Sequence, residues 1–287
     1  MSIAREHVPA KARGLDPSPS RSSPMEVSLI RFRSATALVV AALVALCAAG
    51  NAWAAAEVHR LNLALSGIPT QVRAGDFNHV IDYYNETVVT PPPRGYEAMP
   101  KINFSWLFDG ELRFAVTKSV VVGFGVSQLR AKQEREYLPA LSQAINVRAE
   151  LLTVPVHLGA AYYMQPYNQG DFQARTFVGG GLMSYTHTRA VFQQNLTNPD
   201  SATAVQLGGS YSRKGTMDSP GYYVEGGVHL YFASRYSVLL GAMWRSGEIA
   251  NVVDEFTGKP VYDPKSGKPF KLDMGGIGLR MAAVIGL

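Results

Sequence analysis

From Ile277 to the end, the chain alternates without a break. Ile277, Leu279, Met281, Ala283, Ile285 and Leu287 are apolar, and Gly278, Arg280, Ala282, Val284 and Gly286 fall between them. Period two is the side-chain period of a β-strand, whose successive residues point to opposite faces. One face is wholly apolar, and the other carries glycines and a guanidinium. Such a strand suits a wall with lipid on one side and a packed, partly polar interior on the other.

The pattern recurs. In 103–116, Phe104, Trp106, Phe108, Leu112, Phe114 and Val116 alternate with Ser105, Leu107, Asp109, Glu111, Arg113 and Ala115. Further candidate strands are 58–66, 119–128, 150–164, 172–189, 222–232 and 236–245, which with the C-terminal one make eight. Pro155 lacks a backbone donor and asks for a bulge or local break in the ladder. In 172–189 the run Gly179-Gly180-Gly181 leaves the faces unassigned. The connections at 68–101, 129–149, 190–221 and 246–270 are long, whereas those at 117–118, 165–171 and 233–235 are short. Every second connection is long, so all the long ones fall at one end of the sheet. Eight strands with this parity predict an all-β fold, an eight-stranded antiparallel up-and-down transmembrane barrel. Eight strands close around an interior that side chains can fill.

Composition narrows the alternatives. The net charge of +5 looks basic, but residues 1–56 hold six Lys/Arg and three Asp/Glu. The remaining 21 Lys/Arg face 19 Asp/Glu, which leaves no concentrated basic face for nucleic acid. After residue 57 no run of about 20 apolar residues offers a helical span. Residues 25–56 read as a secretory signal: Arg31 and Arg33, an apolar run from Ala35 to Gly50, then Ala52-Trp53-Ala54 as a cleavage site, with Ala54-Ala55-Ala56 as an alternative. Met25 is a plausible start, which makes 1–24 an over-long extension and 57–287 the barrel domain. Cys47, the single cysteine, lies in the leader, so disulfides play no part.

The signal, the eight strands, the loop parity and the terminal GLRMAAVIGL together resemble the small outer-membrane β-barrel family of the OmpA/OmpX type. Members usually end on an aromatic residue, where this chain has Leu287. The resemblance implies a monomeric protein in the outer membrane of a diderm bacterium, surrounded by outer-membrane lipid and inserted by the barrel-assembly machinery. It implies no cofactor and no enzymatic activity. Nothing in the sequence names a partner for the loops.

Inward-facing charges are the candidate site. Asp109, Glu111, Arg113, Glu225, His229, Arg245 and Arg280 are expected to form a lumen network, with His157 and Tyr231 beside them. Acids and bases should pair there, because an unpaired buried charge costs several kcal/mol. Gly123, Gly125, Gly227 and Gly278 would leave room for these bulky neighbours. A plugged lumen, with a structural or surface-interaction role for the protein, outweighs an ion pathway or catalytic carboxylates in a barrel of this size. A narrow pore or small hydrophobic-molecule conduit is the second reading, and a lipid-modifying enzyme the third. His59, His79, His157, His187 and His229 show no metal-ligand spacing of the HExxH kind. His187 between Thr186 and Thr188 would need a neighbouring strand to complete any hydrolase pair. Asn85-Glu86-Thr87 and Asn195-Leu196-Thr197 match a glycosylation sequon that has no meaning in a bacterium. In the first long connection, Phe77, Val80, Ile81 and Tyr84 have helical spacing, with Asp76 as the expected N-cap. Capping the barrel mouth is the mildest role for that helix, beside lying in the outer-leaflet interface or contacting a partner. The connections 190–221 and 257–270, rich in polar and turn residues, read as exposed surface.

Overall fold

The computed structural model describes residues 59–91, 95–140, 143–169, 172–197, 204–214, 220–232 and 235–287. The expected leader, with its expected cleavage site and Cys47, lies outside the described residues.

Eight strands close the barrel: β1 (Leu61–Gln71), β2 (Phe104–Ala115), β3 (Val120–Ala140), β4 (Gln143–Tyr163), β6 (Phe172–Thr197), β8 (Pro220–Tyr231), β9 (Tyr236–Ile249) and β12 (Gly276–Gly286). Each pairs antiparallel with the next, and β12 pairs back onto β1 with Asn62 opposite Gly286 and Leu65 opposite Ala283. Closure leaves no open edge around the ring, the condition for a sheet in hydrocarbon. Four shorter additions lie off the ring. β5 (Tyr167–Gln169) extends a short turn, β7 (Ala204–Lys214) pairs the upper part of β6, β10 (Val253–Asp254) pairs β7, and β11 (Leu272–Asp273) pairs β9.

The faces fall as the alternation predicts. Phe104, Phe108, Leu112, Phe114, Phe124, Leu158, Tyr162, Tyr222, Leu279 and Met281 are exposed, whereas Asp109, Glu111, Arg113, His157, Glu225 and Arg280 are buried. Aromatic side chains bound the apolar band in two girdles. Phe104, Trp106, Tyr222 and Trp244 stand at the long-loop end, and Phe114, Tyr162, Phe232 and Tyr236 at the short-turn end. Trp106 stacks on Phe108 at 6.3 Å, and Tyr222 meets Trp244 edge-on at 5.4 Å. Such girdles suit the two membrane interfaces.

Strand lengths depart from expectation. β3 and β4 have 21 residues each, about 70 Å at ~3.3 Å per residue, where a spanning strand needs about 9–11. The connections read as loops at 129–149 and 190–221 are therefore largely sheet. The reason lies in the faces. Up to Val126, β3 puts apolar residues outward and Gly123, Gly125 and Ser127 inward. Beyond it Gln128, Arg130, Lys132, Glu134 and Glu136 point out, and Leu129, Ala131 and Tyr137 point in. The apolar face changes sides where the wall leaves the lipid. In β6 the same change is made by a bulge: His187 pairs with Val154 and Tyr185 with Pro155, leaving Thr186 as the extra residue. β1 likewise runs five residues past the predicted end, with Pro69 opposite Trp106.

The projecting sheet encloses a second core. α1 (Asp76–Tyr84) turns Phe77, Ile81 and Tyr84 into it, against Leu129, Val147, Leu151, Phe192, Ile249 and Phe270. The helix caps the mouth, and a π-helical turn (Asn85–Val89) follows it. Asp76 is not its N-cap. Gly75 holds that position at φ 57° with no side-chain cap, and the Asp76 carboxylate instead accepts the Lys271 amide at 2.8 Å. The 257–270 stretch folds into two tight turns closed at Gly258 and Gly267, both at positive φ.

Candidate functional site

Arg280 lies at the centre of the lumen and is 1% exposed. Its strand face requires it to point inward, and two strands, β2 and β8, supply three acids around it. Nη1 donates to Glu225 Oε2 at 2.5 Å, and Nη2 to Asp109 Oδ2 at 2.9 Å and Glu111 Oε2 at 2.5 Å. Nε donates to the Ser66 hydroxyl at 3.1 Å. Arg113 lies beside this group, 3.2 Å from Glu225 and 3.4 Å from Glu111, and donates to the Tyr163 hydroxyl at 3.0 Å. His157 Nε2 is 2.7 Å from Asp109 Oδ1, which also accepts the Ser127 hydroxyl at 2.7 Å. Three carboxylates thus meet two guanidiniums and an imidazole in one buried cluster. A Cβ at Gly123 would collide with the Glu111 carboxylate, and one at Gly125 with the His157 ring, so these glycines make the space for the cluster.

Two of the predicted members stand apart. Arg245, higher in the barrel, donates to the carbonyls of Met274 and Gln71 and to the Thr70 hydroxyl, tying β9 to the loop end. His229, near the short turns, meets the hydroxyls of Tyr163 (3.1 Å), Tyr231 (3.0 Å) and Ser237 (2.8 Å), rather than a carboxylate. Next to it a cavity of about 20 Å³, lined by Arg113, Tyr163, Arg175 and His229, has room for a water molecule.

The arrangement is poorly suited to hydrolysis. Ser127 and His157 both bond Asp109, so the carboxylate lies between nucleophile and base instead of behind the base. His187 lines an outer groove with Arg189, Ser212 and Glu255, and the Thr186 hydroxyl beside it donates to the Val154 carbonyl at 3.0 Å.

Sequence reasoning missed several residues at the loop end. The amides of Asn78 and Asn85 are buried, and each clamps a backbone segment. Asn78 bonds both N–H and C=O of Ile102, and Asn85 does the same to Met99. Glu255 accepts Ser210 at 2.5 Å and Arg189 at 3.1 Å. Partial burial opposes its ionisation, but the serine hydroxyls and the Arg189 charge outweigh that and hold its carboxyl below the usual range. An available signal was the near-repeat Val253-Asp254-Glu255-Phe256-Thr257-Gly258-Lys259-Pro260 and Tyr262-Asp263-Pro264-Lys265-Ser266-Gly267-Lys268-Pro269. In each copy the aspartate accepts backbone amides of its own turn.

A closed eight-stranded antiparallel barrel, apolar outside and charged within, with short turns at one end and long excursions at the other, is the architecture of the small outer-membrane β-barrels. No family model matches the chain, and no curated protein matches its sequence. Among solved structures it is similar to neisserial surface protein A, at 9% identity over 79% of this chain and 97% of that one, with a TM-score of 0.34. It is also similar to the attachment invasion locus protein Ail of Yersinia pestis (10% identity, 80% and 98% covered, TM-score 0.26). A third is the outer membrane protease OmpT of Escherichia coli (9% identity, 78% and 95% covered, TM-score 0.26). Likenesses this distant leave the role of the chain to its own residues.

Proposed function

We propose that the chain is an integral outer-membrane protein of a diderm bacterium, exported by its leader, whose lumen is plugged and whose role is structural or lies in contacts made by its loop end. The observation that carries this reading is the Arg280 cluster. A guanidinium 1% exposed, bonded to three carboxylates from two other strands, crosses the lumen where a conduit would have to pass. Above it, α1 and the projecting sheet fill the mouth with apolar side chains. Transport through such a path requires both layers to open. Binding by the projecting surface requires neither.

Single-protein recordings in a planar bilayer test this directly. The expected record is silent in wild type. Steady unitary conductance that changes in Glu111→Gln would sink the plugged reading in favour of a narrow pore. Carbonate-washed membrane fractions and a heat-modifiable band on gels report insertion separately, so failed insertion is not mistaken for silence.

A further inference from the structure

We propose that Asp76, His79 and Asp263 form a binding site for a divalent transition-metal ion of the zinc class, which staples α1 to the second of the twin turns across the barrel mouth. His79 Nδ1 lies 3.5 Å from Asp76 Oδ1 and 3.2 Å from Asp263 Oδ2, and the three donor atoms all fall within 4.8 Å of one another. Zinc binds nitrogen and carboxylate oxygen at about 2.0–2.2 Å, so two ligands on a zinc tetrahedron stand roughly 3.3–3.6 Å apart. Two edges of this triangle already have about that length. The third is no longer than 4.8 Å, within reach of a small turn of the partly buried Asp76 carboxylate about its bond to the Lys271 amide.

Both aspartates are held for the task by backbone donors. Asp76 accepts the Lys271 amide on Oδ2, which leaves Oδ1 turned toward His79. Asp263, 2% exposed, accepts the amides of Lys265 (3.2 Å) and Ser266 (3.0 Å). Fixing ligand orientation from the outer sphere in this way raises metal affinity. Asp76 and His79 are one helical turn apart on the same face, and Asp263 comes from a loop 184 residues away, which is why no spacing in the sequence shows the set. The His79 side chain is 46% exposed, so the fourth position opens to water. Metal at Nδ1 takes the place of a proton there, and Nε2 carries the ring proton toward solvent. Carboxylates with one imidazole suit zinc and manganese. Calcium needs six to eight oxygens.

The repeat supplies its own control. Asp254 caps the first turn as Asp263 caps the second, but among the described residues no histidine is hydrogen-bonded or ion-paired to it. Untagged protein in detergent, titrated with Zn²⁺ by calorimetry, should bind one ion per chain. Affinity should fall at least about tenfold in His79→Gln and in Asp263→Asn, and stay unchanged in Asp254→Asn. Zn²⁺ should also slow amide exchange in 76–84 and 263–271 in wild type and in Asp254→Asn, but not in His79→Gln. His79→Gln alters a half-exposed side chain and should keep a heat-modifiable fold, so its result does not depend on Asp263→Asn folding. Absence of micromolar uptake by wild type, or equal uptake by His79→Gln, would overturn the site. Neither result bears on whether the lumen conducts.

Discussion

Arg280 on β12 reaches Glu225 on β8 at 2.5 Å, across a lumen in which β9 separates the two strands along the wall. Backbone ladders join only neighbours, so this contact ties together parts of the ring that the sheet itself does not. Removing Arg280 as Met leaves three carboxylates facing one another without their central partner. Breaking a buried pair from one side costs about 3–5 kcal/mol. Arg280→Met should lower the unfolding free energy measured by urea titration by that order, with a matching fall in midpoint, whereas Arg245→Met, which frees only neutral acceptors, should cost less. Equal midpoints for wild type and Arg280→Met would show that the cluster contributes nothing.

How much of this was legible follows from which rule each residue obeys. Where strand and lipid coincide, as in Phe104–Ala115 and Gly276–Gly286, alternation placed the faces and with them Asp109, Glu111, Arg113 and Arg280. It failed at Gln128. There the apolar side changes from outward to inward, and Lys132, Glu134 and Glu136 made continuing strand look like loop. Gly179-Gly180-Gly181 hid the faces of β6 because a residue without a side chain carries no polarity signal. Asn85 shows only a sequon match in the sequence, which says nothing of an amide buried against Met99. The grouping of His79 with Asp263 rests on tertiary folding, which local pattern cannot supply.

Met281 decides whether the band faces lipid. It lies midway along β12, outward and 42% exposed. On a soluble barrel an exposed Met→Lys change is worth little, within about 0.5 kcal/mol. At the midplane of a bilayer a lysine costs about 2–4 kcal/mol. Met281→Lys measured by reversible folding into liposomes should show the larger penalty, and Gln128→Lys, just above the band, the smaller. Equal small effects would remove the membrane assignment.

The cap should fail before the barrel does. Phe77 is fully buried among residues of the projecting sheet, and Asn85 holds the 95–103 segment through Met99. Phe77→Ala deletes a large core side chain at about 3–5 kcal/mol, and Asn85→Ala leaves two backbone groups without partners at about 1–3 kcal/mol. Both variants should remain heat-modifiable barrels while trypsin gains access to Lys101 and Arg73. Protection equal to wild type would mean that the helix is not what closes the mouth.

Glu255 gives the loop end a dependence on acid. Its carboxyl titrates below the usual range when docked on Ser210 and Arg189. An unfolded glutamate titrates near ~4.3, so it binds a proton there before the docked form does. The docking contribution is therefore fully present above about pH 4.3 and is lost as pH falls through the lower, docked value. Amide exchange at 253–258, normalised to intrinsic rates, should be slow at neutral pH and should rise below about pH 4. Glu255→Gln should show the faster exchange at both ends of the range, because its amide makes no ion pair with Arg189 at any pH. If wild type and variant exchange alike at neutral pH, the Arg189 contact does not hold this loop.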